Sequence, residues 1–98
     1  LIEFKAHNKE CSFKKDFIKL IGDENGLQNY FIHVLTSTDS RTFDSIEKKY
    51  QQDLTDAFNE TTPTSLLTIF VCDRKHRTIF RYSTEGKHLS IKQQIEGF

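Results

Sequence analysis

A chain of ninety-eight residues has room for one domain with one core, burying roughly two thirds of the surface its unfolded form exposes. Fourteen acidic and fourteen basic residues cancel, so no net field draws the chain toward nucleic acid or anionic lipid, and any electrostatic partner must be met by a local patch. The longest apolar run, Ile69-Phe70-Val71-Cys72, is far short of the ~20 residues that cross a bilayer.

The first residues alternate, with Ile2, Phe4 and Ala6 on one side and Glu3 and Lys5 on the other, the period of a half-buried strand at a sheet edge. Ser12 can cap a short amphipathic helix in which Phe13, Phe17, Leu20 and Ile21 share a face, ended by Gly22 in a left-handed stop. Turn chemistry at 23–26 leads into Tyr30-Phe31-Ile32-His33-Val34-Leu35, apolar or aromatic at nearly every position, as a strand covered on both faces must be.

A polar loop, Thr36 to Ser40, precedes a long helix over 42–59, where Phe43, Ile46, Tyr50, Leu54 and Phe58 recur every three or four residues. Pro63 breaks the pattern. Leu66 to Cys72 is then a second doubly covered strand. Strand, helix and buried strand make a βαβ unit, so 30–36 and 66–72 are expected to be parallel neighbours.

After Cys72 the chain turns through Asp73-Arg74-Lys75-His76-Arg77 into a hairpin partner, in which Thr78, Phe80 and Tyr82 face one way and Ile79 and Arg81 the other. That strand is expected near an edge, open to a protein partner. For 88–98, Ile91, Ile95 and Phe98 suit a helix while Leu89 and Ile91 alternate; the helix is the expectation. The fold class is α/β: a small two-layer or three-layer domain, 1–98, with a mixed sheet of three to four strands containing one βαβ unit and a C-terminal β-hairpin.

Among chemistries, the four histidines are scattered and no Cys or His pair has zinc-site spacing. Gly22 and Gly26 make no phosphate loop. Cys72 and His76 lack a third orienting residue for nucleophilic catalysis. No catalytic residue is assigned.

Ligands of open α/β sheets lie beyond the carboxyl ends of the parallel strands. That rule groups Asp39, Ser40 and Arg41 with Asp73, Arg74, His76 and Arg77 as a binding surface. Asp39 and Asp73 are the pair that could hold a divalent cation, and the arginines could take a carboxylate or phosphate; the same residues also serve as caps and turns.

Phe80 and Tyr82 beside Arg77, Arg81 and Lys87 give a mixture that stacks single-stranded nucleic acid, or a strand edge guarded by charge. Cys11 and Cys72 are either two buried thiols or a disulfide, which would constrain the unfolded chain by about 4 kcal/mol. Asn59-Glu60-Thr61 is an N-glycosylation acceptor pattern.

The order helix, "YFIHVLTS", "TFDSIEKKYQQDLTDAFN", "LLTIFVCDRKHR", "TIFRYSTEG" resembles the TPM domain family over roughly 13–90, with Asp73-Arg74 and the Gly86 turn as its most specific pieces. The resemblance implies an extracytoplasmic accessory or assembly domain of a membrane-associated protein. The glycines such domains carry before the second buried strand are replaced by Asn59 to Thr64, which weakens the implied metal binding and phosphatase activity.

The chain opens at Leu1 and contains no methionine, so it is expected to be excised from something longer, with any membrane contact made through the flanks. The reading is therefore a non-catalytic protein-interaction domain without a cofactor, extracellular or lumenal. Its rivals are a metal-assisted phosphatase using Asp39 and Asp73, and a cytoplasmic RNA-binding module with free thiols.

Overall fold

The computed structural model describes residues 1–5, 13–24, 28–35, 40–75, 77–85 and 88–96, and of 40–44, 85, 88–93 and 95–96 the backbone alone. The elements run β1 (Ile2–Lys5), α1 (Lys14–Ile21), β2 (Gln28–Leu35), α2 (Ser40–Glu60), β3 (Leu66–Asp73), β4 (Thr78–Glu85) and β5 (His88–Glu96). They form one five-stranded sheet in the order β1-β2-β3-β4-β5. The first three strands are parallel, and β4 and β5 close it antiparallel.

The expected βαβ unit is present, since β2 and β3 pair in parallel from Gln28↔Leu66 to Leu35↔Asp73 with α2 between them in sequence. The hairpin of β3 and β4 is present too. The last segment is a strand and not the expected helix. A β4 with no partner on its outer side would leave a row of backbone donors and acceptors unpaired, and pairing 88–96 along it satisfies them. The β4 edge offered to a partner is thus already taken by β5.

One apolar cluster joins Phe13, Phe17, Leu20 and Ile21 of the α1 region, Ile46, Tyr50, Leu54, Ala57 and Phe58 of α2, and Phe31, Leu35, Leu67, Ile69, Val71 and Tyr82 of the sheet. Both helices therefore lie on one face, making two layers. Along β2 the buried residues alternate strictly, Asn29, Phe31, His33 and Leu35, with half-buried residues between. The sequence reads β2 and β3 as covered twice, and the helices cover them once.

Phe13 sits in the middle of the core, its ring 5.2 Å from Tyr50, 5.3 Å from His33 and 5.6 Å from Phe31. Its backbone N–H donates to the buried carboxylate of Asp53 at 2.7 Å. That bond locks the start of α1 onto the middle of α2. His33 Nδ1 faces the Tyr50 hydroxyl, so the imidazole buried under the helices is matched by a polar group, as burial demands.

Phe13 is the residue that caps α1, without a side-chain cap bond, and Ser12, expected there, lies outside the described residues. Gly22 is not left-handed: φ is −94° and its N–H bonds to the Ile18 carbonyl. A Cβ there would stand 2.9 Å from the Ile18 oxygen and 3.2 Å from Thr61 Oγ1, so close approach is what asks for glycine. The carbonyl of Ile21 is taken up by the Thr64 and Ser65 N–H groups, which steers the chain into β3. Among the described residues no helix is long and apolar enough to cross a membrane.

Candidate functional site

The carboxyl ends of β2 and β3 meet as expected: Leu35 pairs with Asp73, and the Arg74 N–H donates to the Leu35 carbonyl at 3.1 Å. Asp73, however, shares the helix side of its strand with Val71 and is only 4% exposed. It faces into the domain opposite Thr78, so it is not part of an exposed contact surface. Arg74 and Arg77 are exposed on the turn, Arg77 with a left-handed φ of 51°.

Asp39 and His76 lie outside the described residues, and Ser40 and Arg41 enter only as the first backbone positions of α2. Among the described residues no group of three or more His, Cys, Asp or Glu is placed to hold a metal ion. Cys72 is a free thiol, and Cys11, the other half of the expected pair, lies outside the described residues. Partial burial pushes the Cys72 thiol pKa up, which lowers its thiolate fraction.

The other face of the sheet carries the stronger surface. Strand registers set its side chains in rows: Ile2, Tyr30, Thr68 and Ser83; then Phe4, Ile32, Phe70 and Arg81; then Val34, Cys72 and Ile79. Leu66 and Gln28 extend it at the amino end. The Tyr30 and Phe70 rings stack on it with centroids 6.3 Å apart. Phe4 is 65% exposed and Ile2 60%. Among the described side chains of this face, Arg81 alone is charged.

The orientation of β1 is informative because its alternation runs opposite to what an outer face in water would require. Glu3 and Lys5 are turned toward the helices, where Lys19 Nζ donates to Glu3 at 2.7 Å and Lys5 stands 3.2 Å from Asp16. The Lys19 ammonium holds the Glu3 carboxyl below its usual range. Exposed pairs of this kind contribute little, ~0–1 kcal/mol. Leaving Ile2 and Phe4 more than half in water forgoes ~1–2 kcal/mol of burial for each. The strand is built as if the apolar side were meant to be covered.

On the helix side, the Tyr82 hydroxyl donates to Glu47 of α2. Burial first, and the Glu47 carboxylate second, push that phenol well above its ordinary pKa. This contact ties β4 to α2 and plays no part at the open face. Tyr82 is buried and Arg81 exposed, the opposite facing that the alternation of β4 predicts, so these aromatics and Arg81 do not make one stacking surface.

Residues of the open face were legible as apolar, and the signal that could have singled them out was available. Tyr30, Ile32 and Val34, with Phe70 and Cys72, need a cover that two helices on one side cannot provide. No protein-family model, curated protein or solved structure matches the chain.

Proposed function

We propose that this chain is a non-catalytic interaction domain that docks a protein on the open face of its sheet, as an accessory part of a larger assembly. The observation that carries this reading is the uncovered apolar face of β1, β2 and β3, with Phe4 and Ile2 more than half exposed. Contiguous apolar patches on soluble domains mark contact sites. The near absence of charge among its described side chains favours protein over nucleic acid, whose phosphates would ask for several bases on the binding surface. The expected contact therefore moves from the 37–41 and 73–77 loops to the sheet.

The resemblance to TPM domains supports the same class of role. We place the domain on the extracellular or lumenal side. Asn59 supports this: it is exposed in the last turn of α2 with Thr61 two residues on. A glycan mass on Asn59 in native material is the check, and an unmodified Asn59 there removes the placement.

The docking surface is tested with a photoreactive phenylalanine at position 4 or 70, irradiated in native extract. Adducts with protein are expected from both positions and none from position 52, on the exposed side of α2. Adducts from 52 alone, or from no position, overturn the reading.

A further inference from the structure

We infer that the occupant of the open face is a second copy of this chain, the two sheets packed back to back about a two-fold axis. This rests on the reading of the face as a docking surface and names its partner.

Area comes first. Four strands of eight or nine residues and β1 of four, ~4.8 Å apart and rising ~3.3 Å per residue, give a face of roughly 560 Å². Two such faces together remove ~1,100 Å² before side-chain relief is counted, which clears the ~1,000 Å² expected of a specific interface and exceeds the area of crystal contacts. Sheets packed in this way keep their strands within ~30° of alignment, ~10 Å apart, with the inner side chains interdigitating.

Charge comes second. A face that selects a foreign partner electrostatically presents a charge pattern for it to match. This one presents a single described cation, Arg81, and the chain as a whole has a formal net charge of zero, so copies meet without self-repulsion. A two-fold axis along β3, the middle strand, lays β4 of one copy over β2 of the other. Arg81 then comes over the region of Tyr30 and Ile32 and away from its own mate, and Phe70 packs near Phe70.

The same axis brings the two Cys72 residues face to face. At a sheet spacing of ~10 Å their Cα atoms are too far apart for a disulfide, which needs less than ~7 Å. They are within reach of a short bismaleimide.

The test is sedimentation of the full chain from about 1 to 100 μM, with bismaleimide cross-linking of a Cys11→Ser form. The expected result is a species of twice the 11.5 kDa chain mass, a covalent Cys72–Cys72 dimer, and at least ~100-fold weaker association in both Phe70→Asp and Phe4→Asp. Phe4 is mostly exposed, so its variant keeps the far-UV spectrum even if the Phe70 variant does not fold. A monomer at 100 μM, or a dimer that neither variant weakens, overturns the inference. If the chain sediments as a monomer while position 4 forms adducts with a different protein, the second copy is excluded and the docking face stands; a monomer with no adducts sinks both.

Discussion

Replacing Asp53 with alanine tests the bond that holds the two helices together. Asp53 is 3% exposed and accepts the Phe13 N–H at 2.7 Å, while Lys49, one turn back on α2, stands 3.6 Å from its other oxygen. Truncation leaves a backbone N–H buried and unsatisfied beside the core aromatics, a loss of ~1–3 kcal/mol with the upper part of that range favoured because the acceptor is a carboxylate. Losing the Lys49 pair adds about 0.3 kcal/mol. The better helix propensity of alanine returns about 0.6 kcal/mol.

The net expectation for Asp53→Ala is a loss of about 2 kcal/mol, or a melting temperature lower by roughly 8–16 °C for a domain of this size. Asp53→Asn keeps an acceptor oxygen and should lose about half as much, and Lys49→Ala should change stability by less than ~0.5 kcal/mol. Urea unfolding followed by far-UV circular dichroism measures all three. If Asp53→Ala is as stable as the parent within ~0.5 kcal/mol, or Asp53→Asn is as damaging as Asp53→Ala, the bond to Phe13 does not organise α1.

The raised pKa of Tyr82 means that the folded state holds the neutral phenol more firmly than the unfolded chain does. Its contribution is complete below about pH 10 and lost as pH rises, by up to ~1.4 kcal/mol per unit. Between pH 8 and pH 11 the parent should lose ~1.4 kcal/mol more than Tyr82→Phe, read from urea midpoints; equal losses would contradict the assignment. Gly22→Ala should destabilise by about 1 kcal/mol, because the new Cβ meets the Ile18 carbonyl at 2.9 Å and outweighs the ~0.4–1 kcal/mol gained from a stiffer unfolded chain. A higher melting temperature in that variant would refute the packing argument.

Much of the fold was legible because its signals are local. The recurrence of Ile46, Tyr50, Leu54 and Phe58 on one stripe wrote α2, found at Ser40–Glu60. The apolar runs around Tyr30 and Leu66 wrote β2 and β3, and a helix between two buried strands implied their parallel pairing. The candidate loop site was half legible. Its two strand ends do meet, but Asp73 closes its strand on the helix side, and one residue of pleat decides whether a carboxylate is buried or offered to solvent.

By itself, then, the sequence determined which segments up to β4 are helical or extended and that β2 and β3 each present two apolar sides, since periods of 3.6 and 2 are properties of neighbouring residues. Only the tertiary structure decided that both helices fall on one face, that 88–96 is drawn into a strand by the free edge of β4, and that Ile2 and Phe4 are turned away from the core. Those outcomes depend on where the crossovers run and which backbone groups would otherwise go unpaired, and no local pattern encodes either.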